Sequence, residues 1–395
     1  MSAKREKIKE RQLQGFKYFK PISAMLESLH DAGCERDKAG NRLLHMDQYM
    51  SLILLYMFNP ICTSLRSIQQ ASELKKVQRK LGCPRASLGS LSEAARVFDS
   101  KLMQDIISNL SEKLQPISSK SKLDNISGVL TAVDGTLIPA LSKMTWAMWK
   151  TDQQGIKAHT QFDLQKHVPV KITVTDANSS EIEVLANQLE SGRIYVKDRG
   201  YASLALFQKI LDKESSFVCR LRDNAVYEQL EEFKLSNDAI DAGIKFDRKV
   251  RLGSNGKTKD QLSVPVRLIA IKCTPHVKRA KTGRGGPEQG DTLLVATDRF
   301  DLEADVIALI FKHRWTIEIF FRFFKHVLGC RHLLSYCENG IELQTYAAII
   351  ACMLIALWTG RKPTIRTYEM LCWYFTGMAD LEELEAHIAR LQKQD

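Results

Sequence analysis

Between residues 128 and 222, strand-forming and helix-forming stretches alternate in an order that constrains the fold more than any other feature of the chain. GVLTAVDGTLIPAL (128–141), GIKAHTQFDL (155–164) and VPVKITVTDA (168–177) are apolar, β-branched runs that read as three strands of a meander. SEIEVLANQLES (180–191) then reads as a helix, RIYVKD (193–198) as a strand, SLALFQKILDKE (203–214) as a helix and SFVCRLR (216–222) as a strand. Three antiparallel strands followed by helix, strand, helix, strand predict an α/β domain with a mixed sheet.

The flanks are different in texture. Residues 1–125 are expected to be helical: DQYMSLILLYMF (47–58) ends at Asn59-Pro60, SLRSIQQASELKKVQRKLG (64–82) forms a hairpin closing at Gly82, and 90–114 is one amphipathic helix. Such short helices carrying Arg and Lys suit a DNA-binding module, and equally any small bundle. The first twenty residues hold seven Lys or Arg against two Glu, a composition suited to a phosphate-contacting arm. Residues 126–222 form the first part of the α/β core. Residues 223–300 read as a mainly β insertion, with strands in KFDRKVRLG, LSVPVRLIAIKCTP and TLLVATD around the basic, glycine-rich loop KRAKTGRGGPEQGD. That loop carries Lys278, Arg279, Lys281 and Arg284, as a DNA contact or as a plain surface connection. Residues 301–340 return to helix, and 341–395 form a helical C-terminal region.

The net charge of +11 points to a polyanionic partner, nucleic acid ahead of an anionic membrane surface. Nine cysteines without a C-x-x-C pair indicate neither a zinc ribbon nor a redox dithiol. The basic start MSAKREKIKERQ lacks a secretory h-region. The apolar run YAAIIACMLIALW (346–358) is shorter than the roughly 20 residues that span a bilayer. A reduced, cytoplasmic protein without a membrane partner is expected.

FKHRWTIEIFFRFFKHVLG (311–329) mixes phenylalanines with charge. At about 100° per residue, Arg314, Glu318 and Lys325 fall within roughly 60° of Phe311, with Arg322 about 20° beyond the stripe. Ile310, Ile317, Phe321, Phe324 and Leu328 occupy the other side. The stripe is either a solvated face with i,i+4 pairing or a carboxylate held out by a packed helix. Asp134 and Asp198, in VDGT and KDRGY, each stand at a strand end before a turn, where a carboxylate can meet a ligand. Clustered with Glu318 they would repel one another unless a hard cation such as Mg²⁺ or Mn²⁺ were present.

Those residues resemble the DDE transposases of bacterial insertion sequences, in the insertion-sequence-four group marked by Tyr-x2-Arg-x3-Glu-x6-Lys. Phe311, Arg314, Glu318 and Lys325 keep that spacing with Phe in place of Tyr, and VDGT and DRGY match the two Asp motifs. The likeness runs from about residue 125 to 360. It implies a ribonuclease H-like catalytic domain in which Asp134, Asp198 and Glu318 are catalytic and hold two Mg²⁺ (or Mn²⁺) ions. It further implies cleavage at terminal inverted repeats, transfer of the freed 3′-OH to target DNA, and a homodimer that pairs two ends of double-stranded DNA. A nucleoid-associated bacterial protein follows. Arg314 and Lys325 would contact phosphates, with Arg322 and Tyr201 as further DNA contacts, Tyr201 alternatively buttressing Asp198. The phenylalanines would lock the helix so that Glu318 points into the site.

Two departures stand out: Phe311 lacks a hydroxyl, and none of Trp146, Trp149, Trp315, Trp358 and Trp373 lies in the insertion, leaving Phe246 or another ring to take a flipped base. Trp146 and Trp149 are read as core residues ahead of base-stacking ones, His159 as a satisfied sheet residue, and His313 and His326 as structural. Two rival functions share these residues, a transposase-derived DNA-binding protein without cleavage and a ribonuclease H-like nuclease without strand transfer.

Overall fold

Strand β1 (Val129–Pro139) is the axis of the molecule. It pairs antiparallel with β3 (Gln153–Asp163), from Thr131 opposite Asp163 to Pro139 opposite Gly155, and parallel with β5 (Arg193–Lys197). The computed structural model describes residues 25–32, 37, 40, 42–117, 122–140, 143–149, 153–253, 262–272, 292–330 and 332–392. β4 (Val168–Asp176) lines the outer edge of β3 together with a two-residue strand β2 (Met148–Trp149), and β6 (Ser216–Arg220) runs parallel to β5. Helices α6 (Glu181–Ala186) and α7 (Leu204–Asp212) make the crossovers, so the expected strand and helix order holds. Parallel strands need such crossovers, which cover the sheet on its faces.

The stretch 223–300 continues the same sheet. β7 (Tyr227–Glu232), β8 (Ile244–Leu252), β9 (Val266–Lys272) and β10 (Thr292–Thr297) pair antiparallel, and β10 docks on β6. The result is one ten-stranded sheet. β7 and the short α8 (Asn237–Asp241) went unread in the sequence because YEQLEE is polar and exposed, an edge strand without an apolar face. Buried Arg267 of β9 bonds both oxygens of Asp247 on β8, at 2.8 and 2.5 Å, and donates to the Leu302 carbonyl, tying this arm to the helices that follow.

On one face, Leu130, Ala132, Ile156, Ile172 and Val196 join a core shared with the terminal helices; on the other, Val133, Tyr195, Phe217 and Leu268 pack with α7. The N-terminal helices are α1 (Met46–Phe58), α2 (Leu65–Glu73), α3 (Lys75–Leu81), α4 (Leu88–Val97) and α5 (Leu102–Lys113). α1 ends at Asn59 and α3 at a left-handed Gly82 (φ +61°), as the breakers require. The helix expected over 90–114 is two helices. Phe98 turns extended and is fully buried, and the break is held by Asn339, which donates to the Ala95 and Phe98 carbonyls, and by a 2.6 Å bond from Ser100 to Glu342.

α9 (Ala304–His313) and α10 (Thr316–His326) are followed by α11 (Glu338–Thr359), α12 (Ile365–Thr376) and α13 (Leu381–Gln392). α11 is apolar all round and packs on β4, α1, α4 and α5. By length and composition its 22 residues pass for a membrane span, longer than the apolar run alone suggested, but 89% of its most apolar window is buried within the fold. At Gly340 a Cβ would collide with Ser335 and with Ala95 of α4, so glycine there permits the close helix approach.

Candidate active site

Asp134 and Asp198 come together because β1 and β5 are parallel neighbours in register. Val133 lies beside Lys197. Asp198 is the residue just past the end of β5, whereas Asp134, expected at a strand end before a turn, is the sixth residue of β1, which continues through Gly135 opposite His159 to Pro139 because β3 pairs along its whole length. Carboxyl ends of parallel strands are where open α/β sheets place ligands. Asp134 accepts a 2.8 Å bond from the Gly135 N–H, and Asp198 caps a short 3₁₀ turn (Arg199–Tyr201) by accepting from the Arg199 N–H at 2.8 Å.

Glu318 arrives on α10, which packs on β1. Phe320 fixes that helix: its ring lies 5.5 Å from Phe162 of β3 and 5.7 Å from Phe324. Ile310, Ile317, Phe321, Phe324 and Leu328 are all buried, as the periodicity predicts. The helix read as continuous over 311–329 breaks, however. The N–H groups of Arg314, Trp315, Ile317 and Glu318 bond three residues back rather than four, a tight turn that joins α9 to α10. Uniform 100° spacing therefore does not apply across the stripe.

The tightened turn places Arg314 inward. Its side chain is 9% exposed, and its guanidinium lies 3.8 Å from Asp134, 3.9 Å from Asp198 and 4.0 Å from Glu318. Arg314 thus stands among the three carboxylates, not on a solvated face. Its Cζ lies 5.8 Å from the ring centre of Phe311, so the residue in the tyrosine position backs the guanidinium with an aromatic face. Arg220, unremarked in the sequence, approaches Asp198 at 3.9 Å.

Burial pushes the Asp134 carboxyl up to about 7; Glu318 and Glu181 push in the same direction, while the Gly135 N–H and Arg314 pull down. Glu181 was not read as a site residue. It opens α6, and a Cβ on Gly135 would sit 2.9 Å from its Oε1, so glycine in VDGT makes room for this carboxylate. Lys157 pairs with Glu181 at 3.4 Å. The signal was a glutamate in the first turn of a helix entered from β4, which the sequence shows, but not that the turn packs against Gly135.

His159, opposite Gly135 in β3, is buried and pushed down to about 4 by desolvation, so it is neutral at pH 7. Its Nε2 bonds Thr175 at 2.9 Å; since Thr175 donates to the Asp176 carbonyl, Nε2 carries the proton. Its place in the sheet is as read. Tyr201 is 2% exposed, which leaves it no surface for a direct DNA contact. Burial raises its hydroxyl well above the ordinary range, with Glu181 and Asp134 adding to the rise.

Arg322 is exposed and Lys325 half-buried on α10. Lys278, Arg279, Lys281, Arg284 and the basic N-terminal arm lie outside the described residues. Trp146 donates to the Tyr336 carbonyl at 2.9 Å and packs against the core, while the side chain of Trp149 is not described. Phe246 carries Arg248 stacked at 4.0 Å. His313 is half-buried and His326 exposed.

Residues 127–354 match the family described as the transposase DDE domain, a span running from β1 into α11 and containing all three carboxylates. A putative transposase of Sinorhizobium fredii is 30% identical over 58% of this chain, and that stretch spans 60% of the relative's length. The probable transposase for insertion sequence element IS5377 of Geobacillus stearothermophilus is 22% identical, over 69% of this chain and 68% of its own. The putative transposase for insertion sequence element IS4SA of Synechocystis is 23% identical, over 78% and 81% respectively. Among solved structures, a piggyBac transposase synaptic complex with hairpin DNA is similar with a TM-score of 0.44 and 9% identity, covering 95% of this chain and 84% of that one. With more than half its length matched by the family, the chain belongs to the DDE-domain transposases.

Proposed function

We propose that this chain is a DNA transposase of the insertion-sequence-four group that binds the terminal inverted repeats of an insertion sequence, cuts there and joins the freed ends to target DNA. The observation that carries the reading is the convergence of Asp134, Asp198 and Glu318 on Arg314, within 3.8–4.0 Å. Three carboxylates from β1, β5 and α10 form an oxygen-only donor set, which suits the divalent metal ions that DDE transposases use, Mg²⁺ or Mn²⁺ above softer cations. The Asp134 carboxyl, raised chiefly by burial, fits the same need, since a bound cation would favour its ionised form. Asp134, Asp198 and Glu318 would hold the metal, two ions in this reading; when bound, such ions activate an attacking oxygen and stabilise a leaving one.

The chain's own residues supply the rest. The buried phenylalanines hold Glu318 on a rigid helix, and buried His159 stands opposite Gly135 in the neighbouring strand. Arg314, backed by Phe311, balances the carboxylates and offers a charged fork to a nearby phosphate. Lys325 and exposed Arg322 of α10, with the basic loop residues Lys278, Arg279, Lys281 and Arg284, take the DNA backbone. In hydrolysis the water oxygen bonds to phosphorus as the P–O3′ bond breaks, leaving a 3′-OH; that hydroxyl then attacks a target phosphodiester and releases a strand. Two ends are handled together by a homodimer, in the cytoplasm as bacterial insertion-sequence transposases do.

The test is cleavage of a fragment carrying the element's own end with Mg²⁺, for wild type and Glu318→Gln. Nicking at the end by wild type only, with DNA binding equal in both, supports the proposal. Binding without nicking by either would leave a DNA-binding protein, and nicking without joined products would leave a nuclease.

A further inference from the structure

Far along the chain from the catalytic carboxylates, before and at the start of α1, His30, Asp31 and His45 each place a donor atom within 4.8 Å of the others. The two imidazoles are stacked, 3.8 Å between centres and 10° from parallel. Their Nδ1 atoms are both committed. His30 Nδ1 lies 3.0 and 3.1 Å from the two oxygens of Asp47, and His45 Nδ1 lies 2.9 Å from the His30 carbonyl. A carboxylate and a carbonyl only accept, so each Nδ1 is the donor, and in the neutral imidazole each Nε2 keeps its lone pair. That is the arrangement by which proteins prepare histidines as metal ligands: the far nitrogen is anchored to a carboxylate or a carbonyl, which fixes the tautomer and the ring.

We propose that His30, His45 and Asp31 form a second metal site, for a borderline divalent transition cation of the Zn²⁺ class. Two imidazole nitrogens and one carboxylate favour such a cation over Mg²⁺, which the oxygen-only catalytic set prefers. The exposed Asp31 can turn to close the spread to bonding distance, leaving a position for water. Asp47 and the His30 carbonyl are the positioning groups. The bound ion clips the segment before α1 to the first residues of that helix, fixing the entry to the N-terminal helices without touching the catalytic site.

The experiment is titration of full-length protein with Co²⁺ in the presence of excess Mg²⁺, in a Glu318→Gln background that weakens the catalytic metal site. Expected are one equivalent of Co²⁺ with a nitrogen–oxygen visible spectrum, displacement by Zn²⁺, and at least tenfold weaker binding in His30→Ala and His45→Ala. Asp47→Asn, which keeps the ligands, should weaken binding roughly 10-fold or more. Circular dichroism melts separate lost ligands from lost folding, and a variant that melts like the parent yet binds Co²⁺ as tightly overturns the site. Failure of the parent to take up about 100 µM Co²⁺, or an intense sulfur-to-cobalt band, overturns it as well.

Discussion

The Arg314 guanidinium lies 3.8 Å from the Asp134 carboxylate with its side chain only 9% exposed, too far for a hydrogen bond but close enough to balance charge. With Asp198 and Glu318 at 3.9 and 4.0 Å, one cation serves three anions. Removing it by Arg314→Gln should lower the melting temperature of the metal-free protein by several degrees, an effect of order 3 kcal/mol for a buried charge left unbalanced. Mg²⁺ or Mn²⁺ should then restore more stability to the variant than it adds to wild type, and cleavage should fall at least tenfold. Thermal melts with and without metal, at constant ionic strength, check this; equal metal gains in both proteins would show that Arg314 does not compensate the carboxylates.

Asp134 sets a pH dependence of definite sign. Its carboxyl sits at about 7 in the fold against 3.8 ordinarily, so the folded state holds the proton more tightly than the unfolded chain. The stabilising contribution is complete below about pH 4 and is lost as pH rises through 7. Metal-free protein should lose stability between about pH 4 and 7, and Asp134→Asn should lack that component of the slope. Metal binds the ionised form, so its stabilisation should grow over the same interval. Melting temperature against pH, with and without Mg²⁺, is the measurement, and an unchanged slope in the variant would remove Asp134 as its source.

The strands and both aspartates were legible because their signals are local. β-branched and apolar runs mark β1, β3, β4, β5 and β6, and Asp198 precedes a turn just past the end of β5; Asp134 stood out by its VDGT setting, although β1 runs on through Gly135 to Pro139 instead of turning there. Glu318 was legible as part of a spaced set on a helix. What stayed hidden depends on packing between distant segments. Arg314 turns inward because the α9–α10 junction winds more tightly than a helix, which no residue at 314 or 315 announces. The break at Phe98 is held by Asn339 and Glu342 of α11, and Glu181 reaches the site only because Gly135 leaves it space.

Glu181, packed against Gly135, adds to the rise of the Asp134 carboxyl. Glu181→Gln removes an anion that raises the Asp134 carboxyl, so the rising limb of the cleavage rate against pH should shift to lower pH. Gly135→Ala should act similarly, because its Cβ displaces the Glu181 carboxylate, and should cost little stability since the displaced atom ends a flexible side chain. Single-turnover cleavage from pH 5.5 to 8.5 tests both; profiles superimposable on wild type would mean that Glu181 serves packing alone.

Lys197, the residue before Asp198, is fully buried against the rings of Phe207 and Phe217, at 4.8 and 5.7 Å, and its Nζ has no hydrogen-bond partner among the described residues. The rings offset only part of the loss of hydration, and burial lowers the ammonium to about 8 from 10.5. The unfolded chain therefore holds this proton more tightly, so stability is present above about pH 10.5 and falls as pH drops through 8. Each tenfold loss of proton affinity on folding is worth about 1.4 kcal/mol, so at pH 7 the lysine costs on the order of 3 kcal/mol. Lys197→Met, similar in length and apolar, should raise the melting temperature at pH 7 by several degrees and flatten the rise in stability between pH 8 and 10. A variant less stable than wild type at pH 7 would mean that the two aromatic faces satisfy the ammonium fully.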